Sequence, residues 1–171
     1  LWSSGPIRCL RRWQDQLGVV RALAFSPDSA LLAVAGDKGV QLRRLEDLHP
    51  LTLLAHPAPV SGLFWEDAAT LWTFADIPRR WDIARGEILT EVTALRGMYE
   101  GMLVAGGRLL AVVPPRPGFP WPTRSDQLAV LTWPSLEHLA QHSGTRLTAV
   151  NPTGATLVCT HKGHLVRGRL Y

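Results

Sequence analysis

The stretch Val20 to Leu45, VRALAFSPDSALLAVAGDKGVQLRRL, decides the fold, because it holds three short strand patterns separated by two tight turns. Val20 to Phe25 is a half-apolar run, Ser26-Pro27-Asp28-Ser29 is a turn signal, and Leu31 to Ala35 is a small-apolar run of the buried-strand type. Gly36-Asp37-Lys38-Gly39 then reverses the chain. Its two glycines are expected to supply positive φ, and Asp37 to hydrogen-bond its own backbone. Val40 and Leu42 alternate with Gln41 and Arg43, so the third strand has one apolar and one solvated face. The unit reads as an antiparallel meander of three strands, a, b and c.

The same unit recurs along the chain, and a period near 40 residues is the signature of a repeat architecture. Val60 to Ile83, VSGLFWEDAATLWTFADIPRRWDI, aligns with it at an offset of 40, placing Val60 on Val20, Leu63 on Leu23, Trp65 on Phe25 and Leu71 on Leu31. A third copy runs from Met98 to Ala105, Arg108 to Val113 and Gln127 to Trp133, with the b-to-c connection swollen into PPRPGFPWPTRSD. The fourth, Leu147 to Leu170, replaces the first turn by Asn151-Pro152-Thr153-Gly154 and the second by His161-Lys162-Gly163.

Between the meanders lie four further short strand patterns: Ile7 to Trp13, Pro50 to His56, Gly86 to Val92 and Ser135 to His142. Each precedes a strand a. Four strands per unit and four units give repeat boundaries near 6–47, 48–84, 85–134 and 135–171, within one domain spanning 1–171.

This set of features resembles the WD-repeat β-propeller family: the order d, a, b, c, a Ser-Pro-Asp type a–b turn, an Asp-x-Gly b–c turn, Trp81-Asp82 after a strand c, and His56 four residues before Val60. Arg43-Arg44 stands at the Trp-Asp position in the first copy and Trp133-Pro134 in the third. The family's histidine position reads Gln16, His56 and His142 in the first, second and fourth copies. The resemblance implies an all-β propeller of four-stranded antiparallel blades, four per chain. It also implies a structural blade network in which His56, Asp76 and Trp81 form three corners, with Asp37 at the equivalent turn of the first unit.

Stacked blades cover one another's apolar faces, which one blade alone cannot do. The chain opens on strand d and closes on strand c, so Ile7 to Trp13 is expected to complete the last blade. Three ways of closing remain: a four-blade monomer, an eight-blade ring shared by two chains as a homodimer, and a portion of a longer propeller, as Leu1-Trp2 hints. An open half-ring would expose two apolar faces, and the two-chain ring is narrowly favoured because these blade sequences resemble those that tile large rings.

Composition limits function. With 171 residues, 46% of them hydrophobic, the chain can bury a core. Runs such as LLAVA and LLAVV fall far short of the ~18 residues of a membrane span, and there is no charged-then-apolar leader, so a soluble, cytoplasmic protein without a membrane partner is expected. Cys9 and Cys159 show no metal-ligand spacing and read as buried thiols in a reducing compartment. No metal or cofactor motif is present, and His161 and His164 are a lone pair at a turn. The net charge of +4 comes from arginines scattered in twos, which argues against nucleic acid as the expected partner.

Function is therefore expected in the connections. Pro114 to Asp126 carries five prolines, which stiffen it and lower the ordering cost of binding. It also carries Arg116, Phe119, Trp121 and Arg124, residue types enriched at interface hot spots. The leading expectation is a non-catalytic scaffold that binds a protein or peptide on its loop-rich face. The alternatives are a small-ligand or nucleic-acid module using Arg and Trp around the channel, and a propeller hydrolase, for which no nucleophile elbow or P-loop appears. Trp65 and Trp72 read as strand aromatics between blades.

Overall fold

The computed structural model describes residues 16–96, 101–105, 108–113, 127–133, 135, 137–143, 146–150, 156–161 and 164–169. These form fifteen strands and a single 3-10 turn at Thr93–Leu95, an all-β chain. The first sheet is β1 (Ala22–Phe25), β2 (Leu31–Gly36), β3 (Gly39–Arg44) and β4 (Pro50–Ala55), hydrogen-bonded in that order and antiparallel throughout. The second repeats it with β5 (Gly62–Trp65), β6 (Thr70–Phe74), β7 (Arg79–Asp82) and β8 (Glu87–Glu91). The third is β9 (Gly101–Ala105), β10 (Arg108–Val113), β11 (Gln127–Thr132) and β12 (His138–Ser143). The fourth contains β13 (Arg146–Val150), β14 (Thr156–His161) and β15 (His164–Arg169). Strand d thus completes the sheet before it, as Pro50 to Ala55 does by pairing with β3. The expected closing strand Ile7 to Trp13 lies outside the described residues, as does Cys9; Cys159 sits in β14.

Turn chemistry sets the registers. The Ser26 hydroxyl donates to Asp28 Oδ1 (2.5 Å) and accepts from the Leu31 amide (2.9 Å), while Asp28 also accepts from the Ala30 amide (3.0 Å). These bonds fix the β1–β2 hairpin by satisfying turn amides within the turn. In the second unit Asp67 accepts from the Ala69 amide (2.8 Å), and the turn is one residue shorter. Phe25 pairs with Leu32 but Trp65 pairs with Leu71, so Leu71 occupies the position of Leu32 and not, as the constant offset implies, that of Leu31. The offset of 40 holds for strand a and becomes 39 in strand b.

At the second turn only Gly39 has positive φ (133°); Gly36 does not. Gly36 is needed for another reason. A Cβ there would lie 2.8 Å from Leu17 Cβ and 2.9 Å from the Leu17 carbonyl, because the preceding segment crosses it closely.

Residues paired across strands share a face, which divides the first sheet sharply. One face carries Ala24, Ala33, Ala35, Val40 and Leu42. Onto it the second sheet lays Trp65, Leu71 and Trp81, forming a continuous buried core with Leu54 and Val60. Alanines let the bulky aromatics approach, and β1 and β5 run side by side. Trp65 lies buried in this seam and its Nε1 donates to the Ala24 carbonyl at 3.2 Å. Trp72 faces the other way. Its ring meets Trp133, after β11, at 4.8 Å and 76°, and Phe74 meets the same ring at 5.9 Å and 70°, edge-on contacts that join the second sheet to the third. Trp65 and Trp72 thus both lie between sheets.

Candidate functional site

The d-to-a connections and b-to-c turns of the first two sheets converge at one end of the stack. The Asp37 amide donates to the Leu17 carbonyl (2.8 Å), and the Val60 amide donates to the Gly36 carbonyl (3.0 Å). The segment before β1, the Asp37–Lys38 turn and the segment before β5 are therefore stitched together. This end is the candidate partner-binding face.

Asp37 organises its first part. Its carboxylate accepts from the Val19 amide (2.9 Å) and from Arg21 Nε and Nη2 (3.0 and 2.9 Å). The Val19 amide, then the Arg21 guanidinium, hold its carboxyl below the usual carboxylate range. Asp37 was expected to serve its own turn; it instead reaches 18 residues back to anchor the strand-a entry.

The second part is built around Arg79, at the start of β7. Its guanidinium is buried and touches three groups: Glu91 Oε1 through Nε (2.6 Å), and Asp76 Oδ1 (3.3 Å) and His56 Nδ1 (3.1 Å) through Nη1. His56 packs its ring on Trp81 at 5.3 Å and 55°, and Trp81 Nε1 donates to Thr73 Oγ1 at 2.9 Å. His56, Asp76 and Trp81 are thus brought to one place, with Arg79 between His56 and Asp76. Arg96 adds a second cation beside Asp76 at 3.5 Å.

Arg79 and Thr73 are the members that motif reasoning missed. The signal for Arg79 was its position directly opposite Glu91 on β8, a cross-strand pair of opposite charge. Arg116, Phe119, Trp121 and Arg124 lie outside the described residues. The connection that carries them joins β10 to β11, the b-to-c position that Asp37–Lys38 fills in the first sheet.

Because Arg79 donates to His56 Nδ1, that nitrogen must keep its lone pair, so the imidazole is neutral with its proton on Nε2. Burial first, then the Arg79 charge, push the His56 pKa down to about 4, against a smaller opposing effect of Asp76. Between pH 6.5 and 4 the unfolded chain takes up a proton that the folded chain refuses, so stability falls as pH falls through this window and levels off below it. Wild type is expected to lose about 2 kcal/mol more than His56→Gln between pH 7 and pH 5 in urea titrations. Parallel profiles for the two proteins would show that His56 is not held neutral.

Among the described residues, no group of three or more His, Cys, Asp or Glu side chains could hold a metal ion, and no helix is long and apolar enough to cross a membrane. The chemistry of this end is that of ion pairs tying connections together beneath an exposed rim that includes Arg21, Lys38 and Arg96.

No family model matches the sequence, and no curated protein matches it. Solved structures do match: 669 chains resemble it, so the architecture is widely used and fixes no function by itself. One belongs to the crystal structure of the mitotic checkpoint complex, with a TM-score of 0.62 and 22% identity over 89% of this chain; the match spans half of that chain. Another is the computationally designed Ika4 protein, with a TM-score of 0.62 and 16% identity over 96% of this chain and 99% of the other. These likenesses, with the all-β sheets, define a β-propeller fold.

Proposed function

We propose that this chain is a non-catalytic scaffold of WD-repeat type that binds a protein or peptide partner on the end where its connections converge. The observation that carries this reading is that convergence: Val60 to Gly36 and Asp37 to Leu17 backbone bonds hold the connections of neighbouring sheets in one rigid surface. A preorganised surface loses little entropy on binding. The ionisable groups there are engaged in tying segments together, Asp37 through the Val19 amide and Arg79 through the Glu91, Asp76 and His56 side chains, which suits recognition better than proton transfer. One chain of similar fold belongs to a complex, the mitotic checkpoint complex, which is in keeping with a scaffold role.

The 114–126 connection supplies the anchors in this reading. A random-peptide display library selected against the 171-residue protein is expected to yield binders whose affinity, measured by calorimetry, drops about thirtyfold or more on Phe119→Ala/Trp121→Ala. The melting temperature of that double variant should stay within about 2 °C of wild type, less than ~1 kcal/mol of lost packing would produce. Peptides indifferent to the substitutions, or a collapse in melting temperature, would move these aromatics from binding to packing.

A further inference from the structure

On the face that the first sheet turns to the second stand Ala33, Ala35, Val40 and Leu42, none more than 1% exposed. The same face of the fourth sheet is of another kind. Its hairpin ends His161 and His164 match Gly36 and Gly39, so Thr160, Leu165, Arg167 and Arg169 fall at the positions of Ala35, Val40, Leu42 and Arg44. The register with β13 adds Arg146, opposite Thr160. The alternate residues, among them Leu147, Leu157 and Val166, occupy the face that corresponds to Leu71 and Trp81 in the second sheet, the side turned to the preceding sheet. One face of the fourth sheet is therefore apolar and the other basic, the pattern of an antiparallel sheet with one side on a core and one side in water.

Three arginines and no carboxylate share the basic face, whose remaining positions are Ala149, Thr156, Val158 and Thr160. Arg167 is exposed, and Leu165 beside it is 70% exposed. An apolar neighbour laid over this face, as the second sheet lies over Val40 and Leu42, would strip water from guanidinium groups and offer no opposite charge, which is strongly unfavourable. Whatever covers it must bring acids.

We propose that this face docks an extended acidic segment of a partner protein, with the segment's carboxylates held by Arg146, Arg167 and Arg169 and an apolar residue seated on Leu165. Arg167 and Arg169 are two residues apart on one strand, about 6.7 Å, which is the spacing at which an extended segment presents alternate side chains. Arg146 lies two strands away, about 9.6 Å, within reach of a flanking acid on the same segment. Guanidinium groups suit the task because their planar forks pair with carboxylates through two hydrogen bonds at once. Nucleic acid fits the face less well: it carries no aromatic residue on which a base would stack, and the exposed Leu165 stands among the arginines. The surface uses none of the residues of the 114–126 connection, so it adds a second contact to the one proposed above.

The test is the binding of a fluorescein-labelled peptide of alternating Glu and Ser with one central Leu, followed by anisotropy with the full 171-residue chain at about 0.1 M salt, where distant charges are screened. Wild type is expected to bind the peptide, and Arg167→Glu to weaken binding about tenfold or more, since a close attraction becomes a repulsion. Arg85→Glu makes the same change of charge at an exposed site between β7 and β8 and should leave the affinity within about twofold. Leu165→Ser should weaken the Leu-containing peptide about threefold or more and leave a peptide of Glu and Ser alone unchanged. No binding by wild type, or equal losses from Arg167→Glu and Arg85→Glu, would overturn the proposal. So would a single-stranded oligonucleotide that binds more tightly than the peptide and is lost on Arg167→Glu, which would give the face to nucleic acid. Loss of the peptide on Phe119→Ala/Trp121→Ala, with Arg167→Glu silent, would overturn it too, while leaving the 114–126 reading in place. Far-ultraviolet circular dichroism should be unchanged in every variant. If Arg167→Glu lost its fold, Arg167→Ser, which removes the charge without reversing it, would carry the same comparison.

Discussion

Trp81→Ala is expected to destabilise the protein by about 3–5 kcal/mol, the range for removing a large aromatic from a packed interior. Trp81 is 5% exposed and belongs to the cluster that joins the first two sheets, beside Leu42, Leu54 and Leu71. Its removal opens a void in the seam, strips the ring on which His56 packs, and leaves Thr73 Oγ1 without its donor inside the protein. Trp81→Phe retains much of the area but loses the Nε1 bond, so its cost should be smaller, about 1–3 kcal/mol. Urea denaturation at a fixed protein concentration measures both. A loss below about 1 kcal/mol for Trp81→Ala would mean that the seam collapses freely around the vacancy.

Gly39→Val is the second large effect. Gly39 has φ of 133°, a conformation that a β-branched residue adopts only under strain of about 1–3 kcal/mol. A Cβ there would also run into the Leu54 carbonyl, an atom of the β3–β4 ladder that moves only if the strand moves. With overpacking of about 1–3 kcal/mol added, the expected loss is about 2–6 kcal/mol. The control is Lys38→Val, one residue away on the exposed turn, which should change stability by less than about 0.5 kcal/mol. Equal effects at the two positions would mean that the hairpin backbone relaxes to accept the side chain.

The strands were legible in the sequence because their information is local. Alternation in Val40 to Arg43, and turn residues at Ser26-Pro27-Asp28, name a strand and a reversal without reference to anything distant. Strand d joining the sheet before it also followed from chain order, and β4 pairs with β3 accordingly. What escaped was non-local. Asp37 serves Val19 and Arg21, and nothing within its own turn reveals that they lie beside it. Arg79 stands between His56 and Asp76 because β7 brings it under the His56 segment, a geometry that a motif of His, Asp and Trp does not encode. Trp133 was read as the end of a strand at the Trp-Asp position, yet it meets Trp72 and Phe74 across two sheets. The slip of one residue between Leu31 and Leu71 was invisible to a constant offset, since Leu31 and Leu32 are both leucine.

That slip has a consequence for how such a chain tolerates change. Had the missing residue been lost inside β6, every side chain beyond it would have exchanged faces, and Leu71 would point away from the alanine carpet of the first sheet. Taken from the turn, it alters nothing beyond Asp67 and its neighbours. Length is therefore free to vary between strands and frozen within them. The b-to-c link uses two residues in the first sheet and thirteen, 114–126, in the third. An engineer adding a recognition segment to this frame would place it in the same links, where a sheet keeps its stacking whatever it is asked to carry.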